Sequence, residues 1–162
     1  MGLIKWLRGR NGLGGTVKIE TELVAKHIRD GKVLGKRVVK NRLVTNAGVG
    51  FIVDAFQNLV ELETMKYHAS GTGAAAEAAT DTALGVEVAT RATGTTEEGA
   101  TANIYKTIGT IPYTATLAIT EHGVFSAATV GVLLDRSVFT AINVVNGDSI
   151  QFTYQLTLSA GG

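Results

Sequence analysis

An unbroken alternation near the end of the chain sets the terms for the whole fold. From Ser149 to Ser159, Ile150, Phe152, Tyr154, Leu156 and Leu158 fall on one side, and Gln151, Thr153, Gln155 and Thr157 on the other. Period two over this length specifies a β-strand with one buried and one wet face. Burying such apolar side chains contributes about 1.5–3 kcal/mol each, so this strand belongs to the core. Asn146-Gly147-Asp148 launches it, because Asn and Gly accept φ > 0 at small steric cost.

The rest of the pattern agrees with a β-rich chain. Val17, Ile19, Thr21 and Leu23 alternate with Lys18, Glu20 and Glu22, and Asp30-Gly31 is a two-residue hairpin signal. Closing that turn sets Ile28 beside Val33 and Arg29 beside Lys32; the second pair repels, which leaves the register open. One stretch changes period: after Thr45-Asn46, either of which can cap a helix, Val49, Ile52, Val53, Phe56, Leu59 and Val60 fall at helical spacing. A helix over about 46–60 is expected, its stripe packed on a sheet, with Gly48 and Gly50 available for close backbone contact. Residues 64–70 read as a strand ended by Gly71-Thr72-Gly73. Residues 74–100, rich in Ala, Thr, Gly and Glu, read as a long surface excursion with one helical turn after Asp81. Beyond residue 100 nearly everything reads as strand, with Glu121-His122-Gly123 as a turn and Pro112 at an edge or a strand entry. Closely spaced strands with Gly-marked turns imply a mainly β fold, an antiparallel sandwich or jelly roll with one short helix.

At 162 residues the chain is one domain of ordinary size, with room for an arm. The expected division is a flexible basic arm and hairpin over 1–45 and a β body over 46–162. Residues 1–42 hold eleven Lys and Arg against three acids, net +8, and residues 43–162 hold four bases against eleven acids, net −7. At the front of the basic third, Leu3, Ile4, Trp6 and Leu7 form a small apolar plug ahead of a tether containing Gly9, Gly12, Gly14 and Gly15, which suits either a segment that orders on finding a partner or one folded back onto its own domain. Three uses of the basic segment are open: phosphate contacts with a nucleic acid, docking on an acidic protein surface such as a neighbouring copy's body, or Lys residues guarding a solvated hairpin edge. Trp6 alone is available for base stacking there, which weakens the nucleic-acid case. Charged residues make up 18% of the chain, below the roughly 25% of an average soluble domain; repeated subunit contacts would leave such a surface, and so would the twenty Gly and the abundant Ala and Thr without any sticky patch.

Signals for catalysis are thin. There is no Cys, hence no disulfide framework, thiol nucleophile or Cys-based zinc site. His27, His68 and His122 are scattered without metal-ligand spacing, Ser137 and Ser149 lack a nucleophile elbow, and Glu121-His122 reads as a solvated turn. Gly71-Thr72-Gly73 lacks the Lys-Ser/Thr ending of a phosphate loop, and the acidic pairs Glu61/Glu63 and Glu97/Glu98 read as surface carboxylates. No enzyme, cofactor or metal is expected. The N-terminal residues carry no signal-peptide or myristoylation pattern, and no run of about 18 apolar residues could span a membrane. The expectation is synthesis in a cytoplasm.

Three segments taken together carry a resemblance. They are Leu43-Val-Thr-Asn-Ala-Gly-Val-Gly-Phe-Ile-Val-Asp, then Lys66 to Glu87 with its Gly-Thr-Gly and Asp81-Thr-Ala-Leu and Arg91 beyond, and finally Ile119-Thr-Glu-His-Gly-Val-Phe, Val132-Leu-Leu-Asp-Arg and Asn146-Gly-Asp-Ser-Ile-Gln-Phe-Thr-Tyr. This order, over about 43–162, resembles structural proteins of tailed-bacteriophage virions, and among them jelly-roll capsid cement or decoration proteins. The resemblance implies a virion component that sits as a homotrimer on the outer capsid and ties major capsid proteins together, with no small-molecule substrate and no membrane. A tail, baseplate or attachment subunit is the alternative within the virion. A nucleic-acid-binding protein acting through residues 1–42 and a soluble carbohydrate-binding jelly roll are alternatives outside it. The basic arm falls outside the matched region but suits reaching a neighbour, and the residues expected to make that contact are Leu3, Ile4, Lys5, Trp6, Leu7, Arg8, Arg10, Lys36 and Arg37.

Overall fold

The computed structural model describes residues 16–41 and 43–161. Ten strands follow in order: β1 (Thr16–Arg29), β2 (Lys32–Lys40), β3 (Leu43–Val44), then, after a helix, β4 (Tyr67–Gly71), β5 (Glu87–Thr93), β6 (Thr95–Glu98), β7 (Ile104–Pro112), β8 (Leu117–Phe125), β9 (Leu133–Val144) and β10 (Ser149–Gly161). They form two antiparallel five-stranded sheets, ordered β2-β1-β10-β7-β6 and β3-β9-β8-β4-β5. The molecule is therefore the expected β-sandwich with a single short helix among the described residues.

The alternating strand occupies the position its pattern requires. β10 lies between β1 and β7 with both edges paired, and Ile150, Phe152 and Tyr154 are fully buried while Leu156 is nearly so. Register carries the pattern to the neighbours: Phe152 stands opposite Ala25 and Gly109, and Tyr154 opposite Leu23 and Thr107. Opposite this layer the second sheet contributes Ile119, Val124, Ile142 and Val144, closing one apolar core between the sheets.

Asp30 and Gly31 both take positive φ, 48° and 73°, the geometry a two-residue hairpin turn demands. Ile28 then pairs with Val33 and Arg29 with Lys32, as the turn signal predicts, and a bulge at His27/Ile28 follows. The repulsion between Arg29 and Lys32 is relieved elsewhere: Arg29 donates to Asp148 at 2.6 and 2.9 Å. This hairpin, which the expected division at residue 45 set beside the body, is built into it, since β1 pairs with β10 from Thr16 to Ile28 and sends Leu23 and Ala25 into the core.

The helix α1 (Asn46–Phe56) is shorter than expected and turned differently. Thr45 caps it, its hydroxyl accepting from the Gly48 amide at 3.0 Å. Gly48 and Phe51 are buried, whereas Val49, Val53, Phe56 and Leu59 of the expected core stripe are exposed. The rotation follows from Gly48, which rests against β9 so closely that an added Cβ would stand 2.6 Å from the Leu134 carbonyl oxygen. The expected contact at Gly50 does not form; the space beside it is open.

Phe152→Ala is expected to destabilise the fold by about 3–5 kcal/mol, and Thr153→Ala, one residue along on the wet face, by no more than about 0.5 kcal/mol. Urea unfolding of the two variants measures both, and equal costs would contradict the assignment of faces.

Candidate partner-contact surface and interior polar cluster

The expected contact residues divide into three groups. Leu3, Ile4, Lys5, Trp6, Leu7, Arg8 and Arg10 lie outside the described residues. Lys36 is exposed on β2, directly opposite Lys26 of β1. Arg37 is turned the other way. Its guanidinium reaches across to the second sheet, donating to the Thr140 and Ala141 carbonyls at 3.3 and 3.4 Å, so its first task is bracing the two sheets.

The outer edge of β2 has no strand beside it among the described residues, and it carries Val33, Leu34, Lys36 and Val38 exposed. An open edge of this kind offers backbone donors and acceptors to another chain. The surrounding positive charge is thinner than the sequence count implies. Lys18 pairs with Glu20 at 2.7 Å, Lys40 with Glu22 at 2.8 Å and Arg29 with Asp148, whereas Lys26, Lys32 and Lys36 make no ion pair among the described residues. Asp148 is the hub at the far end of this hairpin. It accepts from Arg29 and the Val145 amide and lies 2.7 Å from His27 Nε2, and these contacts, the Arg29 hydrogen bond first, hold its carboxyl well below the usual range.

Two residues expected in a solvated turn are instead fully buried within β8. Glu121 and His122 have no exposed surface and point to opposite faces of the sheet. On the outer face, Glu121 accepts from the amides of Gly73, Gly85 and Val86 at 2.8–3.0 Å and from Arg136 at 2.8 Å. Burial alone would raise its pKa, but these amides and the guanidinium outweigh that and hold it below the ordinary value. Arg136 in turn reaches Asp81 at 2.9 Å and the Ala75 carbonyl at 3.2 Å. The glycines noted in the sequence serve this carboxylate: an added Cβ at Gly71 or Gly73 would stand 2.4 Å from Glu121 Oε1. Gly-Thr-Gly thus does present an amide to an anion, and the anion belongs to the protein itself.

On the inner face, His122 Nε2 meets His68 Nδ1 at 2.9 Å, and His68 Nε2 lies 3.2 Å from Thr107 Oγ1. Phe152 stacks on His122 with ring centroids 4.3 Å apart. Nearby, Ser137 donates to Asp135 at 2.9 Å, and Tyr113 donates to Ser70 at 2.9 Å. Burial drives the His68 pKa down to about 4 and His122 well below its ordinary value, and it pushes Asp135 up to about 7. His122 Nδ1, Asp135 Oδ2 and Tyr154 OH find no hydrogen-bond partner among the described residues. His68, Ser70, Thr107, His122 and Asp135 all have zero exposure, so this chemistry is sealed between the sheets. Among the described residues no three His, Cys, Asp or Glu converge as metal ligands. Sequence reasoning missed this cluster because its members come from β4, β7, β8 and β9, and nothing in their local sequence announces the pairing.

Breaking the outer pair by Arg136→Met should cost about 3–5 kcal/mol, because buried Glu121 loses its countercharge; Glu121→Gln should cost less, because Arg136 keeps Asp81 at 2.9 Å. Urea unfolding reads the cost, and faster proteolytic nicking within residues 72–86 reads the loosening of the excursion.

The inner cluster predicts a pH dependence. Below the ordinary histidine pKa of 6.5 the unfolded chain protonates His68 and His122 while the folded chain resists, down to about 4 for His68, so both lose stability as pH falls. Asp135 acts oppositely: between 3.8 and about 7 the folded chain keeps a proton that the unfolded chain has released. Near pH 5 the unfolded chain binds about one proton more, so stability should rise with pH by about 1.4 kcal/mol per unit. Asp135→Asn removes the opposing proton and should steepen the slope to about 2.8 kcal/mol per unit. Urea midpoints across this range check both, and a flat profile would contradict the assignment. Compared with family models, curated proteins and solved structures, the chain matches none.

Proposed function

We propose that this chain is a capsid cement or decoration protein of a tailed bacteriophage, a jelly-roll-like block that binds the outer head surface and stabilises contacts between major capsid proteins. Four features support the reading: the three-segment resemblance to virion structural proteins, the basic front end on an acidic body, chemistry-bearing side chains packed inside, and the open, apolar-and-basic edge of β2, one of the four sheet edges among the described residues. The edge carries the argument. Strand β2 presents Val33, Leu34, Lys36 and Val38 beside an unpaired backbone, which suits contact with a second protein surface or a second copy in a trimer. Binding only the assembled shell stabilises that shell by mass action, without catalysis. Lys26, Lys32 and Lys36 supply charge complementarity toward an acidic capsid face.

A tail or baseplate subunit is the second reading within the virion, and the same exposed edge would serve it. Localisation by electron microscopy of intact particles separates the two. Hundreds of copies over the head are expected; a dozen or fewer at the tail would replace cement with the second reading. Lys36→Glu should weaken binding of the purified protein to shells lacking it, read by co-sedimentation, without changing its far-UV circular dichroism. Salt-sensitive DNA binding that Lys36→Glu also weakens would instead favour a nucleic-acid partner.

A further inference from the structure

At one end of the sandwich α1 and the first sheet frame an apolar groove of about 130 Å³, lined by Ile52, Phe56, Leu62, Met65, Tyr105 and Leu158 among others. This is near the size of a cavity that takes a benzene ring. Its wall is unusually open for such residues: Phe56 is 78% exposed and Leu62 42%. Two shallower depressions adjoin it, sharing Leu62, Tyr105 and Leu158 with it and lined by Glu97 and Glu98. Lys106 neutralises Glu97 at 2.8 Å, and Glu98 makes no ion pair among the described residues. The groove is thus apolar with an acidic rim.

We infer that this groove is the seat of the chain's own segment Leu3 to Arg10. Chemistry and reach both point to it. The segment reads Leu-Ile-Lys-Trp-Leu-Arg-Gly-Arg, large apolar side chains for the groove interleaved with Lys5, Arg8 and Arg10 for the rim. The described chain begins at Thr16, paired with Gly161, and three residues further along Ile19 pairs with Leu158 of the groove wall. That places the groove about 10 Å from where the segment is tethered. The eight residues between Leu7 and Thr16 let the two ends stand up to about 30 Å apart when extended, and Gly9, Gly12, Gly14 and Gly15 let them turn back. A tether that spans its site gives an effective concentration in the millimolar range, which favours the same chain over a neighbour's. Seating the segment covers Phe56 and takes Leu3 to Arg10 out of the expected partner contact, while Lys26, Lys32 and Lys36 on β1 and β2 stay free for the virion reading.

Trp6 is the only tryptophan in the sequence, which makes its fluorescence a direct reporter. In the full-length isolated chain, acrylamide should quench Trp6 several-fold less than free tryptophan, independently of protein concentration. Phe56→Glu, at a position too exposed to endanger folding, should raise quenching several-fold with unchanged far-UV circular dichroism, and Glu98→Lys should raise it by a smaller factor. Quenching equal to free tryptophan in the unmodified chain overturns the inference. So does protection that Phe56→Glu leaves intact, and so does protection lost on dilution together with an oligomer, which would give the groove to a neighbour's segment.

Discussion

The salt bridge between Glu121 and Arg136 carries much of what surrounds it. Both charges sit on the outer face of the second sheet, where the excursion over residues 72–86 covers them, and neither could remain ionised there alone. Glu121 collects three backbone amides from the excursion, and Arg136 collects Asp81 and a carbonyl from it. A length of chain without strands or helices is thereby fastened at several points to a rigid sheet. The fastening also makes room for Leu84, which joins Ala69, Phe125 and Leu133 in a second small apolar cluster beneath the excursion. Arg91 extends the arrangement, stacking over Phe125 at 3.5 Å while donating to the Ala127 and Val130 carbonyls.

The parts of this fold that were legible beforehand are those decided by local physics. Alternation in β10 requires a two-sided strand and Asp30-Gly31 a tight turn, whatever the rest of the chain does; the hairpin register, left open by the Arg29–Lys32 repulsion, is allowed by Arg29 pairing with distant Asp148. Helix α1 was legible as an element but not in its rotation, because the deciding contact is Gly48 against Leu134, far away in sequence. Glu121 and His122 were misplaced for a related reason. Polar residues beside a glycine carry the composition of a turn, and only partners from the excursion, β4 and β9 turn them into buried strand residues. The excursion itself was anticipated as a long irregular stretch, though β5 and β6 within its expected span were not. For the two expected contact residues on β2, charge was legible and direction was not: Lys36 faces solvent, whereas Arg37 donates to carbonyls of β9.

Two polar clusters lie on opposite faces of one sheet, and they differ in kind. The outer one is ionic, fully partnered and ties a loop down. In the inner one burial favours the neutral forms of His68, His122 and Asp135, and three atoms find no partner among the described residues, in the layer where Phe152 and Tyr154 meet the second sheet. Buried polar groups of this sort favour one packing arrangement over others of similar apolar content, because a slipped register would strand more of them.

The place of β10 also governs when the molecule can become itself. It is made after the other nine strands, yet it is the neighbour that β1 and β7 share, and without it the first sheet is two separate pieces. During synthesis the β1–β2 ribbon leaves the ribosome more than a hundred residues ahead of the strand that completes it. Its apolar side must wait exposed, and closure demands contacts between distant parts of the chain, which are slow to form. Growing chains of this protein are therefore candidates for chaperone protection until translation has passed residue 158.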